Sequence, residues 1–236
     1  MTGFTRRGLI GGAAAAALYG ALPAAAAATT AAARPAQARR RFTILRDGKD
    51  IGFHTIALSR EGEDLRVAID IEIVVRVFGI AAYRYEMRNR EVWRGGRLMS
   101  MDCSVNDDGK AKTVRAAREA GALRIDGPLY TGPAPDLAAT TTYFTQDFLK
   151  RDTWISTDNG ELYQMSVAAE GSRAIATGAG RVECARYRAT NNADFDVTLY
   201  YDARGEWASV AFDAGGKRAI YRPDHLDDSF KAVWAG

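Results

Sequence analysis

The 236-residue chain is 47% hydrophobic and 26% charged, enough to bury one well-sized core, and its formal net charge is +3. Six of its 32 basic residues (Arg6, Arg7, Arg34, Arg39, Arg40 and Arg41) precede Phe42, leaving 26 against 29 acidic residues from Phe42 to the C-terminus. That balance argues against a nucleic-acid-binding domain, which needs a basic patch on its folded part, and no basic amphipathic helix of the membrane-surface kind is visible.

The first segment, residues 1–28, places Arg6-Arg7 before an alanine-rich apolar run that ends in Ala24–Ala28. This pattern is that of a twin-arginine export signal. It predicts the Tat translocase as an export partner, a periplasmic location, and cleavage in one of the Ala-x-Ala frames near Ala28. The run is short and rich in Ala and Gly for a bilayer span, so no stable membrane anchor is expected after cleavage. Residues 29–41, rich in Ala, Thr and Arg with Pro35, read as a disordered spacer. Residues 42–236 then form a single β domain.

From Phe42 onward the hydrophobic period is two. In Val67–Arg76 the odd positions are aliphatic while Asp70, Glu72 and Arg76 alternate with them, the mark of a half-buried antiparallel strand. Tyr83–Arg88 repeats the alternation. Turn signals such as Asp47-Gly48, Glu61-Gly62, Gly95-Gly96 and Asp108-Gly109 punctuate the chain every 10 to 16 residues over much of its length, which predicts hairpins joined in sequence. In Asp202-Ala203-Arg204-Gly205 the aspartate and glycine suit the ends of a type I turn that pairs Val197–Tyr201 with Glu206–Phe212. The exception is Thr140–Arg151, where Tyr143, Phe144, Phe148 and Leu149 fall at helical spacing and predict a short helix laid over the sheet. The fold class expected is therefore all-β, a strongly curved antiparallel meander forming an open half-barrel with one short covering helix.

Cys103 and Cys184 both fall in this domain, and an oxidising compartment permits them either to pair or to remain two buried thiols. The histidines, His54 and His225, are too few for a histidine-based zinc site. No CxxC, HExxH or glycine-rich phosphate loop is present, so no cofactor and no metal is expected, and no catalytic residue is assigned. His54 reads as a surface or cross-strand residue of an edge-like strand, and His225 as part of a turn beside Asp227 and Asp228.

The aromatic residues carry the binding hypothesis. Phe78, Tyr83, Tyr85, Trp93, Phe144, Phe148, Tyr201 and Trp207, with Met87 and Phe212, would gather on the inner face of a curled sheet, where they either fill the interior or line a cavity for an apolar ligand.

Phe42–Gly48 with Ile51–His54, the strand closing on Glu91-Val92-Trp93, the Thr142-Tyr143-Phe144 segment and Tyr200–Trp207 resemble an uncharacterised family of exported bacterial proteins, known only as a domain of unknown function. More remotely the chain is similar to the lipoprotein carriers LolA and LolB. That resemblance implies an open, curved sheet with helix over its hollow side and, as function, non-enzymatic binding of a lipid or other apolar small molecule, or of an envelope partner. Two other readings stay open: an envelope hydrolase built on a His and carboxylate site, and an interaction module with a solid core.

Overall fold

The computed structural model describes residues 37–191 and 193–234; the expected export signal, 1–28, and residues 29–36 of the expected spacer lie outside the described residues. Eight strands follow one another by short turns: β1 (Gln37–Arg46), β2 (Lys49–Glu61), β3 (Asp64–Val77), β4 (Ile80–Arg94), β5 (Arg97–Asp107), β6 (Lys110–Glu119), β7 (Ala122–Asp126) and β8 (Thr131–Ala134). A crossover then forms a separate small sheet from β9 (Ala139–Thr140), β10 (Thr153–Ile155) and β11 (Leu162–Gln164). The chain returns as β12 (Ser166–Thr177), β13 (Gly180–Thr190), β14 (Asp196–Asp202), β15 (Trp207–Asp213) and β16 (Arg218–Pro223), followed by the short helix α1 (Ser229–Trp234).

Strand β16 pairs with β1, Phe42 opposite Pro223 and Arg46 opposite Ala219. The two strand runs therefore join into one thirteen-stranded antiparallel sheet, ordered β12 to β16 and then β1 to β8. Its edges, β12 and β8, do not pair with each other, so the sheet is an open one. This is the expected all-β architecture. The alternation in β3 works as anticipated: Val67 and Ile69 are buried, while Asp70 on the opposite face bonds Arg90 at 3.0 Å. The Asp202–Gly205 turn also forms, with the Gly205 N–H donating to the Asp202 carbonyl at 2.9 Å and Val197 set opposite Phe212. Gly52 is required at its place, because a Cβ there would overlap the Glu72 carbonyl oxygen of β3.

Two expectations are corrected, and one open alternative is resolved. The spacer does not extend to residue 41, since β1 begins at Gln37 and buries Ala38 and Arg40 on the face that also buries Phe42 and Ile44. An inward arginine had concealed the alternation. With Arg39–Arg41 in the sheet, the chain from Gln37 onward carries 29 basic and 29 acidic residues. The helix expected over Thr140–Arg151 shrinks to one 3-10 turn, Gln146–Lys150, capped by the Thr145 hydroxyl. The β-branched threonines before it run extended instead: Thr140 ends β9, and the Thr141 N–H donates to the Ile155 carbonyl. Finally, Cys103 and Cys184 are free and buried in separate apolar clusters on opposite faces of the sheet, so the backbone stands between them.

Candidate functional site: a hollow between the two sheets

The small sheet is too short to cover the concave face of the large one. Beneath it and beside it lies a hollow of about 420 Å³. Ile69, Ile71 and Ile73 of β3 form its floor because they share one face of a strand, and Tyr83, Tyr85 and Met87 of β4 continue it. The curve of the sheet brings Val197, Val210, Phe212 and Tyr221 of β14–β16 round as the opposite wall. The crossover roofs it with Thr141–Tyr143, Ser156–Asp158 and Tyr163.

The interior is solid at one end and hollow at the other. Under the 3-10 turn the Trp93 ring lies 5.0 Å from Phe148 and 6.1 Å from Phe144, and Trp234 packs within 6.2 Å of all three. Trp93, Phe144 and Phe148 therefore fill the core and do not line the hollow. Tyr201 and Trp207 are buried behind its wall, where the Tyr201 hydroxyl donates to the Tyr143 carbonyl at 2.8 Å and the Trp207 ring supports Tyr143 from 6.0 Å. Phe78 is elsewhere, fully exposed at the tip of the β3–β4 hairpin. Of the eight aromatics expected to bind, Tyr83 and Tyr85 line the hollow.

Glu91 and His54 are shut inside the protein. Glu91 accepts hydrogen bonds from Asn89 at 2.8 Å, from the Trp93 indole at 2.7 Å and from Thr140 at 3.4 Å, yet burial pushes its carboxyl up to about 7. His54 lines the hollow, edged by Phe42, Trp207 and Tyr221 at 5.4 to 5.8 Å, and neither ring nitrogen has a hydrogen-bond partner. Burial alone lowers it to about 3, so at neutral pH the ring is uncharged. Its position corrects the surface reading, because β2 is an interior strand between β1 and β3. His225 is exposed, 3.9 Å from Asp227.

At the open end a polar chain ties roof to floor. Lys112 Nζ donates to Asp158 of the roof at 2.8 Å and to Asp107 of β5 at 3.0 Å. The Tyr85 hydroxyl donates to Asp158 at 3.2 Å and the Tyr83 hydroxyl to Asp107 at 2.9 Å. Burial, reinforced by these carboxylates, raises both phenols well above their ordinary range, so they act as proton donors. The bond from Lys112 holds Asp107 below the usual carboxylate range. Asp194, Asp196 and Asp213 complete the rim, and among the described residues no Lys or Arg lines the hollow. Nor do the described residues contain a group of three or more His, Cys, Asp or Glu side chains placed to hold a metal ion.

The roof residues Asp158 and Tyr163 and the wall residue Tyr221 escaped sequence reasoning, and Tyr143 was placed over the sheet without being named as a lining residue. Their placement depends on the crossover and on the pairing of β16 with β1, neither of which has a periodic signal. The isoleucines of β3 were legible as inward residues, although the sequence could not say that the roof would stop short of them.

The model of a family described as a domain of unknown function, DUF6134, matches residues 42–224. Among solved structures the chain is similar to the crystal structure of a beta-barrel-like protein of domain of unknown function DUF1849 from Brucella abortus, with a TM-score of 0.56 and 9% identity. That likeness covers 81% of this chain and 96% of the other, and it is a likeness of fold. No curated protein matches the chain.

Proposed function

We propose, for a chain that belongs to the DUF6134 family of unknown function, that the hollow binds a lipid-like molecule without transforming it. The observation that carries this reading is the half-covered apolar floor of Ile71, Ile73 and Met87 facing Phe212 across 420 Å³ of space. A packed core would have closed on these residues. The remote resemblance to LolA and LolB supports the same reading. The rim favours a particular head group, because Asp194 and Asp213 repel a carboxylate or phosphate and accept hydrogen bonds from an uncharged or cationic one. The hydrolase alternative lacks convergence, since His54 is buried among aromatics while His225 is exposed.

An environment-sensitive alkyl probe tests this, offered in amine and carboxylate forms. Saturable uptake by the wild type, stronger for the amine, is expected. Ile71→Trp grows from the half-buried floor into the hollow and abolishes uptake while leaving a cooperative thermal transition. A wild-type protein that takes up neither probe overturns the proposal. The proposed site of action is the periplasm, reached through Arg6-Arg7: replacing both by lysine retains the protein in the cytoplasm, and normal periplasmic levels of that variant refute the route.

A further inference from the structure

The β3–β4 hairpin reaches beyond its neighbours. Pairing of β3 with β2 ends at Ile73, and pairing of β4 with β5 ends at Tyr85, so residues 75–83 pair only with one another. At the apex Phe78 is 100% exposed, Ile80 74% and Val77 50%. Scattered exposed apolar residues need no explanation, but three on one projecting tip do.

The turn itself sharpens the point. Phe78 and Gly79 have φ of +51° and +83°, a two-residue hairpin turn with both residues left-handed. The same geometry recurs at Asp47-Gly48, with φ of +50° and +76°, and at Asp108-Gly109, with +52° and +86°. Aspartate tolerates that conformation and belongs in water; phenylalanine fits neither requirement. Backbone preference and hydration thus both oppose the residue at position 78. Residues 74–84 contain no acidic side chain, while Arg76 and Arg84 stand on the two stems of the hairpin, Arg84 also bonding Glu86 at 3.0 Å. The tip is an apolar wedge with a cationic collar.

We infer that this tip inserts into the interface of a bilayer bearing anionic headgroups. Val77, Phe78 and Ile80 enter the acyl boundary, where their burial is favourable, and Arg76 and Arg84 meet the lipid phosphates. Ile73, Tyr83 and Tyr85 of the same strands line the hollow, so insertion holds the hollow beside the lipid. The inference does not depend on ligand binding in the hollow: a tip that inserts in a protein that takes up no alkyl probe leaves it standing.

Co-sedimentation of the full chain with vesicles of phosphatidylcholine, alone or mixed with phosphatidylglycerol, provides the test. The wild type is expected to partition onto the mixed vesicles, and Phe78→Ser with Ile80→Ser to lose about tenfold or more in partitioning. Both sites are exposed, so the variant should melt as the wild type does. Any attraction from the N-terminal arginines is common to both proteins and cancels. Arg76→Ser with Arg84→Ser should abolish the preference for the mixed vesicles. A fluorophore that reports polarity, attached at Phe78→Cys, should shift to the blue on vesicle addition, since both native cysteines are buried. Equal partitioning of the wild type and the double-serine variant overturns the inference, as does a label that stays in a water-like environment. A wild-type dimer in sedimentation velocity that the serine substitutions dissolve also overturns it, by assigning the tip to a second copy of the chain.

Discussion

Arg40 donates to Glu206 across 3.1 Å with both side chains shut away from solvent. The guanidinium also donates to the Trp207 carbonyl at 2.9 Å and the Asp227 carbonyl at 3.1 Å, and it lies 4.1 Å from the Phe230 ring centre. Burial pushes the Glu206 carboxyl up, opposed by the Lys231 N–H at 2.7 Å and by Arg40. This pair ties α1 to β1 and β15. Arg40→Met leaves a buried carboxylate without its cation and should cost about 3–5 kcal/mol. Adding Glu206→Gln to that variant should restore part of the loss. Urea unfolding of the three proteins measures both effects, and a single variant as stable as the wild type would mean that Arg40 is not buried.

The same residue shows why part of the fold was illegible. In β3 and β4 the inward positions are aliphatic or aromatic, so period two identified the strands. In β1 two of the inward positions are Ala38 and Arg40, and the segment reads as a polar, alanine-rich tail until the partners of Arg40 are known. Those partners come from residues 206–230, far along the chain, and local patterning contains no trace of them. The candidate site was legible in the same proportion. Tyr83 and Tyr85 were identified from alternation, whereas Phe144 and Phe148 were placed correctly over the concave face but fill it. Whether an inward aromatic fills or lines depends on the length of the covering element, and β9–β11 are two or three residues each.

The cysteines offer a direct check on strand facing. Burial raises the Cys184 thiol to about 12 and carries Cys103 higher still. Neither should react with an alkylating reagent in the native protein at pH 8, and both should react after unfolding without reductant. A peptide pair joined by a disulfide would contradict the placement of the two residues on opposite faces.

Among the described residues Lys112 is the one cation that bonds both Asp107 and Asp158, and so fastens the roof to the floor. Its surroundings are partly exposed, so Lys112→Met should cost no more than about 1 kcal/mol of global stability. Access to the hollow should respond more strongly. With the tether cut, the release rate of a bound alkyl probe should rise several-fold while the melting temperature shifts little. An unchanged release rate would show that the roof is held by its other contacts, among them the Tyr201 hydroxyl on the Tyr143 carbonyl and the Leu129 N–H on the Asn159 carbonyl.

His54 and Glu91 should shape the pH dependence of stability in opposite directions. His54 has its folded value lowered from 6.5 to about 3, so between those limits the unfolded chain binds a proton that the folded one does not. Stability from this group is full above 6.5 and falls as pH drops, by up to about 1.4 kcal/mol per pH unit. Glu91 is raised from 4.5 to about 7, so the folded chain holds a proton that the unfolded one has released, and its contribution falls as pH rises through that window. Over the shared range from 4.5 to 6.5 the two slopes oppose each other, so each masks the other in the wild-type profile. His54→Phe fits a site edged by three aromatic rings and should unmask the Glu91 slope, with stability declining as pH rises from 4.5 to 7. Glu91→Gln should unmask the histidine, with stability climbing from acid to 6.5. Urea midpoints recorded from pH 4 to 7.5 separate the three profiles. If wild type and His54→Phe run parallel, the imidazole reaches water in the folded protein, and the hollow is wetter at its base than an apolar ligand would require.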